Sequence, residues 1–510
     1  MSKKTVSLII LDGLGKGEDT IENAFYRANT PNIDKLMTTC PRARIDASGS
    51  NIGLPDGQMS NSEVAHINMG AGRIVEQDLT IINKAIEDGD FFSIPEFVEA
   101  VEYCKDKNKA LHLVGLLSDG GVHSHERHLY ALLELAKRRG MDGNVFIHCI
   151  LDGMDTESTS GEVHLQRLED KIKEKGLGKV ATICGRNFAM DKKKNWNKIK
   201  ACYDAMVFGK GYTEYSVTQA IETSYQEDTF DEDFEPTVIT SKGNPVATID
   251  DGDYVIFFNF RHDRMQELSS AFINEDFNEF ETKKMKVNYV CMTKYEDNIP
   301  DDKVAFDRDE IKNTLSECIS NSGLKQVKVT DPEKFYQLTY FFNGLKSKEF
   351  NGEDRVLVPP ANTSVEQTIE MSANGITDKI VEFINDGKYD VVIANYANAD
   401  ILGHTGDFEA TIKGIEILDK CIGRIVDVVQ NKEGIAFITG DHGNAEIMID
   451  SLTGEPVSSN TTNPVEMIMV GMDDAKLVNG SMADIAPTIL DVLEISKPEE
   501  MTGKTLLRRE

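Results

Sequence analysis

The stretch Asn395-Tyr-Ala-Asn-Ala-Asp-Ile-Leu-Gly-His-Thr-Gly406 and the later stretch Thr439-Gly-Asp-His-Gly-Asn444 share one pattern. In each, an aspartate and a histidine are predicted to lie on a glycine-flanked turn, directly after the apolar runs Val391–Ala394 and Ile435–Ile438. Such short runs predict buried strands, and open α/β sheets build their sites at the carboxyl ends of strands. The two stretches therefore predict an α/β fold with a polar site at one edge of a sheet.

The side chains in these stretches are typical of a metal site. They are Asp400 and His404 in the first stretch, and Asp441 and His442 in the second. Imidazole and carboxylate together favour Zn or Mn over Ca. Either pair alone fits an ordinary polar turn, whereas two pairs in the same pattern favour a metal.

The composition limits the protein's partners and surroundings. A chain of 510 residues predicts two or more domains. Its formal charge of −31 argues against nucleic acid or an anionic membrane as a partner, because phosphate backbones require a basic face. Eight scattered cysteines, the lack of a signal peptide and the lack of a membrane-spanning run predict a soluble cytoplasmic protein.

Two stretches near the amino terminus add to the same site. The apolar run Val6–Leu11 predicts a strand that ends at Asp12, which joins the carboxylates at strand ends. Ser62 begins an amphipathic pattern, and it has two interpretations. It could be a helix cap, or it could be a nucleophile, because a hydroxyl held as an alkoxide near a metal attacks phosphorus.

The middle of the chain predicts a second α/β unit. Strands at Leu111–Leu117 and Val145–Leu151, with a helix between them, form a βαβ pattern. The first strand leads to His123 and the second to Asp155, which are candidates for substrate contact or proton transfer, or else are ordinary turn residues.

An acidic protein needs local cations to hold an anionic substrate. Arg186 follows a predicted strand, and Arg261 and Arg264 lie three residues apart after another, which places both guanidinium groups on one side of a helical turn. Taken singly, each arginine could be solvated. Lys334 is by default a surface charge.

The final two hundred residues alternate helices and strands, so 1–76 and 309–510 could share one sheet, with 77–308 inserted as a second domain.

These residues, with other motifs in the same order, resemble the cofactor-independent (2,3-bisphosphoglycerate-independent) phosphoglycerate mutases of the alkaline phosphatase superfamily. The resemblance covers the whole chain. It rests on the motifs at Leu8–Gly13, Asn61–Val64, Ser118–His125, Leu151–Gly153, Gly185-Arg186, Asn259–Arg264, Asn395–Asn398, Gly440–Glu446 and Glu500–Lys504.

The resemblance implies an alkaline-phosphatase-like domain with a mixed, mostly parallel sheet, formed by 1–76 and 309–510, and an inserted transferase-like α/β domain at 77–308. It implies that Ser62 takes the phosphoryl group from 3-phosphoglycerate and returns it to the 2-hydroxyl, without bisphosphoglycerate. Two Mn²⁺ ions are implied. The implied ligands of one ion are Asp12, Ser62, Asp441 and His442, and those of the other are Asp400, His404 and a residue at the position of Asn460.

The resemblance also implies a set of residues that hold or protonate the substrate. They are His123, Asp155, Arg186, Arg261, Arg264 and Lys334, with Met154 and Lys192 at two further substrate-binding positions. Among these, Lys334 joins Ser62 as a catalytic residue. Asp155 is predicted to move protons to and from the glycerate hydroxyls, because a carboxylate there has no evident metal role.

Three of the departures from the family pattern concern contacts with metal or substrate. Asn460 stands where the family has a histidine, and its neutral carbonyl oxygen suits a harder ion. Met154 replaces a substrate-binding arginine, which removes a bidentate anion contact. Lys192 replaces another arginine, and so keeps the positive charge but loses the bidentate hydrogen bonding of a guanidinium group.

Three functions follow from this pattern, and the departures set their order. An active mutase, acting as a cytoplasmic monomer in glycolysis and gluconeogenesis, is the first interpretation. A related metal-dependent phosphatase or mutase acting on another phosphorylated substrate is the second, because Met154 and Lys192 alter the anion pocket. A non-catalytic homologue is the third, because Asn460 replaces a metal ligand of the family. Even the replacement of a residue behind a metal ligand can change metal affinity by roughly 10–100-fold.

Overall fold

The computed structural model describes residues 4–274, 276–296, 299–307, 310–360, 365–472 and 474–509. The strands are β1 Val6–Leu11, β2 Arg42–Asp46, β3 Leu111–Leu116, β4 Val145–Leu151, β5 Lys179–Gly185, β6 Tyr212–Glu214, β7 Thr237–Ser241, β8 Asn244–Pro245, β9 Tyr254–Phe257, β10 Asn288–Cys291, β11 Gln326–Thr330, β12 Glu353–Leu357, β13 Val391–Tyr396, β14 Ile435–Thr439, β15 Val465–Val470, β16 Ala475–Leu477, β17 Gly480–Ser481 and β18 Leu507–Arg509.

The helices are α1 Ala24–Arg27, α2 Pro31–Thr39, α3 Ser62–Ala71, α4 Asp78–Asp88, α5 Pro95–Lys107, α6 Glu126–Arg138, α7 Gly161–Lys175, α8 Arg186–Ala189, α9 Trp196–Phe208, α10 Val217–Gln226, α11 Gln266–Ile273, α12 Leu315–Asn321, α13 Val365–Glu370, α14 Ala373–Asp386, α15 Asn398–His404, α16 Phe408–Asn431 and α17 Ile485–Val492. Two short 3₁₀ turns, His262–Arg264 and Pro332–Lys334, carry candidate site residues.

The chain divides into two compact units. The first unit contains Met1–Gln77 and Asp309–Glu510, and the second contains Asp78–Arg308. The predicted end of the inserted domain lies between residues 308 and 309, and both of these are outside the described residues. The assignment of a metal function to one domain and a substrate function to the other stays a prediction.

The sheet of the first unit has eight strands in the order β12-β11-β13-β1-β14-β15-β2-β17. The five strands from β12 to β14 run parallel to one another, whereas β15 pairs in antiparallel fashion with both of its neighbours. Strand β1 is buried along its whole length, because alternate residues join apolar clusters on opposite faces of the sheet. The predicted mixed, mostly parallel sheet is confirmed.

The second unit has its own sheet, with the order β10-β9-β3-β4-β5-β7-β6. Strands β3 and β4 are parallel and in register from Leu111 opposite Val145, and α6 connects them, so the predicted βαβ unit is confirmed. Strand β7 is antiparallel to β5, which makes this sheet mixed as well.

Two further features concern the whole of the described chain. Of the eight cysteines, all of which are free thiols, seven are buried and Cys40 is partly buried. Among the helices that the structure describes, none is both long and apolar enough to cross a membrane.

Candidate active site

Three adjacent strands of the first unit deliver carboxylates to the same edge of the sheet. Strand β1 lies between β13 and β14, with Leu11 opposite Tyr396 and Ile10 opposite Thr439. Asp12 directly follows β1, and Asp441 lies two residues after β14. Parallel strands end on the same side, so these carboxylates converge although they are far apart in sequence.

Asp400 and His404 lie on helix α15, not in the turn that the sequence predicts. The chain starts this helix directly after β13, and the four-residue spacing places both side chains on one face. Gly13 permits the close approach of the two chain segments. Its φ is +75°, and a Cβ there would lie 2.7 Å from the Cα of Asp400.

Ser62 is buried at the first position of helix α3. Asn61 is the residue that caps this helix, since its side chain accepts a hydrogen bond from the backbone N–H of Val64, so the interpretation of Ser62 as the cap is wrong. The hydroxyl of Ser62 instead donates to Oδ1 of Asp12 at 2.9 Å and lies 3.1 Å from Nε2 of His442. The serine oxygen therefore contacts two of the predicted metal ligands.

Lys334 is buried, so its interpretation as a surface charge is wrong. It ends the 3₁₀ turn Pro332–Lys334, and its Nζ lies 2.8 Å from Oδ1 of Asp12 and 2.6 Å from Oδ2 of Asp400. The same nitrogen lies 2.7 Å from Oγ of Ser62. One ammonium group therefore contacts the candidate nucleophile and two carboxylates.

The charges at this centre shift one another's pKa values. Burial opposes ionisation of Asp12, but the Lys334 ammonium and a hydrogen bond with His442 hold the pKa of Asp12 well below its usual value. Burial likewise disfavours a charged imidazole, yet Asp441 and Asp12 raise the pKa of His442 to about 10. Burial and the charge of Asp12 raise the pKa of Asp441.

Two buried residues behind the carboxylates orient them. Nδ2 of Asn395 donates to Oδ2 of Asp12 at 3.0 Å, and Oδ1 of Asn395 lies 3.0 Å from Nε2 of His66. Nδ1 of His66 donates to the carbonyl oxygen of Ser62 at 2.7 Å. Together with the bond from the Ser62 hydroxyl to Asp12, these contacts close a ring that fixes the serine at its backbone and at its side chain.

The donor atoms of this centre fit a divalent cation. One ligand atom from each of Asp12, Asp400 and His442 lies within 4.8 Å of the others, and the same holds for Asp12, His66 and Asp441. Oδ2 of Asp441 is buried and has no hydrogen-bond partner among the described residues. Oxygen and imidazole donors grouped around such an oxygen match the ligands that Mn²⁺ and Zn²⁺ take in proteins.

His404 lies beside this centre and is more exposed than the other candidate ligands. Its Nε2 lies 3.2 Å from Oδ1 of Asp400, and its Nδ1 donates to the carbonyl oxygen of Ser458 at 2.7 Å. The hydrogen bond to Asp400 raises the pKa of His404 above its usual value. The backbone contact leaves Nε2 as the nitrogen that faces the carboxylate.

The second unit contains a separate cluster of charged residues. The guanidinium group of Arg186 is buried, and its Nη1 donates to Asp152 and, at 2.7 Å, to Oδ2 of Asp155. Nε2 of His123 lies 3.8 Å from the same oxygen of Asp155. Burial, together with the charges of Arg186 and Arg261, lowers the pKa of His123 to about 3. The imidazole is therefore neutral near pH 7.

Arg261 and Arg264 lie in the same cluster. Arg261 precedes the 3₁₀ turn His262–Arg264, and Arg264 ends it. Both arginines face the carboxylate of Asp263, which directly precedes Arg264 in the turn. The structure thus brings together four of the predicted substrate residues, His123, Asp155, Arg186 and Arg261, and it places Arg264 beside them.

Comparisons with known proteins identify the family of this chain. The profile described as "BPG-independent PGAM N-terminus (iPGM_N)" matches residues 82–297. The chain is 48% identical over 510 residues to the 2,3-bisphosphoglycerate-independent phosphoglycerate mutase of Acetivibrio thermocellus, covering 99% of this chain and 100% of the relative. The chain belongs to the 2,3-bisphosphoglycerate-independent phosphoglycerate mutase family.

Two other members of this phosphoglycerate mutase family support the assignment. The mutase of Lachnoclostridium phytofermentans is 46% identical over 512 residues, and the match covers 99% of each chain. The solved phosphoglycerate mutase of Leishmania mexicana, determined at low cobalt concentration, is 30% identical with a TM-score of 0.76, covering 100% of this chain and 98% of that chain. The resemblance drawn from the sequence is confirmed.

Asn460 is the predicted departure from the family pattern that lies in the first unit. Its Nδ2 donates to the carbonyl oxygen of Ser60 at 2.8 Å, and its Oδ1 accepts a hydrogen bond of 3.0 Å from Nδ2 of Asn444. The amide therefore bridges the loop before Ser62 and the loop after His442. Its role as a metal ligand stays a prediction.

The other two departures lie in the second unit and are exposed. The Met154 side chain is 57% exposed, and the backbone N–H of Met154 donates to Oδ1 of Asp152 at 3.2 Å. Lys192 lies in the exposed segment between α8 and α9. Within the described residues, neither side chain forms an ion pair or a hydrogen bond with Arg186, Arg261 or Arg264.

Sequence reasoning missed several residues that shape the site. The sequence pattern predicted no role for Asn395, His66, Asp152 or Asp263. A signal was present for His66, because it lies four residues after Ser62 on the same helix and so on the same face. For Asn395, the corresponding signal was its position at the end of β13, beside Asp12.

Proposed function

We propose that this protein interconverts 3-phosphoglycerate and 2-phosphoglycerate through a phosphoserine at Ser62. The observation that carries the proposal is the position of Oγ of Ser62, which lies within 3.1 Å of Asp12, His442 and Lys334 at once. Phosphoryl transfer depends mainly on positioning and charge neutralisation, and a buried serine among these groups meets both needs. The names and lengths of the family's members support the same activity.

The proposed chemistry uses the chain's own residues as follows. Oγ of Ser62 attacks the phosphorus, so that the Oγ–P bond forms as the bond between phosphorus and the 3-oxygen of glycerate breaks. Lys334, 2.7 Å from Oγ, stabilises the negative charge on the serine oxygen and on the phosphoryl group. The oxygen of Ser62 enters the reaction deprotonated, and Asp155 protonates the departing 3-oxygen. Asp155 then accepts the proton of the 2-hydroxyl as the bond between phosphorus and the 2-oxygen forms and the Oγ–P bond breaks, which leaves Ser62 deprotonated and Asp155 protonated as at the start.

The proposal includes two Mn²⁺ ions and no bisphosphoglycerate. Bound divalent ions would favour a deprotonated serine and neutralise charge on the phosphoryl group. The residues proposed to hold one ion are Asp12, Ser62, Asp441 and His442, and those proposed to hold the other are Asp400, His404 and Asn460. Asn460 keeps one lone pair on Oδ1 beyond its bond from Asn444, so its carbonyl oxygen suits a ligand role.

Residues of the second unit are proposed to bind the substrate. Its phosphate and carboxylate are anionic, and the residues assigned to them are His123, Asp155, Arg186, Lys192, Arg261 and Arg264, with Met154 beside them. Lys334 is proposed to contact the phosphoryl group as well. We further propose a cytoplasmic monomer that acts in glycolysis and gluconeogenesis, and the free cysteines support a reducing compartment.

A product assay with the purified full-length protein tests the function. The protein is treated with EDTA, supplied with Mn²⁺ and incubated with 3-phosphoglycerate in the absence of 2,3-bisphosphoglycerate, and the products are followed by ³¹P NMR. We expect 2-phosphoglycerate to form until equilibrium is reached, and we expect EDTA without added Mn²⁺ to stop its formation.

The same assay separates the other two functions. Free phosphate in place of 2-phosphoglycerate would identify a phosphatase, a function that Met154 favours because it leaves the cluster one cation short of the family pattern. No product from 3-phosphoglycerate, despite two bound Mn²⁺ ions per chain, would contradict the mutase assignment.

A further inference from the structure

Asp263 occupies the centre of the arginine cluster in the second unit. Its Oδ1 accepts a hydrogen bond of 3.0 Å from Nε of Arg261, and its Oδ2 lies 3.7 Å from Nε of Arg264. A single carboxylate therefore faces both arginines, with one oxygen for each. Nε is the nearest atom in both contacts, but only the contact of Arg261 is a hydrogen bond, whereas Arg264 forms a longer ion pair.

This mode of contact determines what the two arginines present to a ligand. A guanidinium group that is held at Nε keeps its two Nη atoms for another partner, and that fork matches a phosphate or a carboxylate. Within the described residues, no hydrogen bond engages the Nη atoms of Arg261 or Arg264. Arg186 differs, because its Nη1 is already bound by Asp152 and Asp155.

The backbone around Asp263 is fixed by contacts that do not involve its side chain. The carbonyl oxygen of His123 accepts hydrogen bonds from the backbone N–H groups of Phe260, at 2.8 Å, and Arg261, at 3.2 Å. The 3₁₀ turn that follows is closed by the bond from the N–H of Met265 to the carbonyl oxygen of His262. Replacing the Asp263 side chain should therefore leave the loop in place.

We propose that Asp263 is a positioning residue that holds Arg261 and Arg264 as one preformed anion site. The proposal rests on the proposed function, in which these arginines bind the phosphate or the carboxylate of the substrate. Arginine side chains are long and lose rotamer freedom when they bind, so a partner that holds them beforehand lowers that cost. The alternative is that Asp263 only neutralises the two arginines. In that case its negative charge would weaken the binding of an anion.

Two variants with the same charge separate these readings. Asp263→Asn and Asp263→Ala both remove the negative charge, but only asparagine keeps an acceptor oxygen for Nε of Arg261. We expect Asp263→Ala to have a KM for 3-phosphoglycerate about ten-fold higher than that of Asp263→Asn, because a hydrogen bond to a charged group is lost. The kcat values of the two variants should agree within about two-fold, since neither change touches the reacting atoms.

A binding measurement tests the proposal without turnover. Isothermal titration calorimetry with inorganic phosphate, at low ionic strength, should show weaker binding to Asp263→Ala than to Asp263→Asn. Asp302→Ala serves as the control, because it removes an exposed aspartate of the same unit that pairs with Lys303. This control should match the unmodified protein in both assays, and circular dichroism should show all variants folded.

The outcomes are distinguishable from failure of the proposed function. If the unmodified protein forms no 2-phosphoglycerate, the proposed function fails, while the phosphate titration still tests Asp263. Equal phosphate binding by the alanine and asparagine variants would overturn the positioning role, as would tighter binding by the alanine variant. Absence of phosphate binding to the unmodified protein would also overturn it.

Discussion

The two charged clusters of this molecule differ most in how deeply they are buried. In the first unit, the Asp12 and His442 side chains are 0% and 1% exposed. In the second unit, the Arg261 and Asp263 side chains are 41% and 38% exposed. Charges in a buried site interact strongly because little water screens them, whereas partly exposed pairs are screened.

The clusters also differ in how their charges are balanced. Three aspartates of the first unit, at 12, 400 and 441, surround the single ammonium group of Lys334, so the centre is arranged to receive further cations. In the second unit, aspartates at 152, 155 and 263 face arginines at 186, 261 and 264, so each arginine already has a partner. In the second cluster Arg186 and Asp152 are buried as well, and the more exposed part is formed by Arg261 and Asp263. The centre of the first unit is suited to chemistry, and this more exposed part of the second cluster to reversible binding.

The largest effect should follow from removing the nucleophile of the buried centre. We expect Ser62→Ala to lower kcat for 3-phosphoglycerate by at least about 10⁴-fold, because the covalent step is lost. The fold should be retained, because Asn61 rather than Ser62 caps helix α3. Steady-state assay and thermal unfolding measure the two quantities.

The matched control for this variant is Ser60→Ala. It removes a hydroxyl two residues earlier whose only described contact is with the carbonyl oxygen of Asn61. Its kcat should stay within a few-fold of the unmodified protein, which is small beside the loss expected for Ser62. Retention of full activity by Ser62→Ala would remove the phosphoserine from the mechanism.

The next largest effect should come from the residues that orient the ligands. Asn395→Ala removes the hydrogen bond to Oδ2 of Asp12, and residues behind a ligand typically change metal affinity by roughly 10–100-fold. We therefore expect weaker Mn²⁺ binding by that order, measured by calorimetry with Mn²⁺ alone. Arginine variants of the second unit should leave Mn²⁺ affinity unchanged, which sharpens the contrast between the clusters.

The control for Asn395→Ala is another asparagine of the same unit. Asn32→Ala also breaks a bond to an aspartate, since Nδ2 of Asn32 donates to Asp419 at 2.8 Å, but that aspartate is not a candidate ligand. Its Mn²⁺ affinity should match that of the unmodified protein. Equal Mn²⁺ affinity in the Asn395 variant and in this control would show that the contact with Asp12 does not position a ligand.

The parts of the site that the sequence predicted follow from local rules. Asp12 and Asp441 lie directly after apolar strands, and parallel strands that are neighbours must end side by side, so their convergence needed no coordinates. Asp400 was predicted to join them for the same reason. Even here the prediction of local structure was partly wrong, because Asp400 and His404 lie on a helix and not on a turn.

Residue patterns alone did not predict the parts that depend on long-range packing, and only the family resemblance placed Lys334 among the catalytic residues. Lys334 contacts Asp12 across 322 residues of chain, and no periodicity near Lys334 marks it as buried. Asn395 reaches Asp12 across 383 residues, and its role depends on the register between β1 and β13. Asp263 looks like an ordinary turn residue until the directions of both arginine side chains are known.

The smallest effect should come from Asn460, where the chain departs from its family within the buried centre. Replacement by histidine supplies an imidazole nitrogen, which binds Mn²⁺ or Zn²⁺ better than an amide oxygen does. We expect Asn460→His to raise Mn²⁺ affinity at the weaker of two sites by about ten-fold, although breaking the bridge between Ser60 and Asn444 costs about 1 kcal/mol of folding stability.

Asn460→Ala separates these two consequences, because it breaks the same bridge without adding a ligand. Both variants should unfold at a slightly lower temperature than the unmodified protein, and only the histidine variant should bind Mn²⁺ more tightly, as measured by electron paramagnetic resonance of free Mn²⁺. If alanine and histidine give equal affinity, position 460 does not face a metal. Its amide would then serve only to link the loop before Ser62, through the carbonyl oxygen of Ser60, to the loop that carries Asn444.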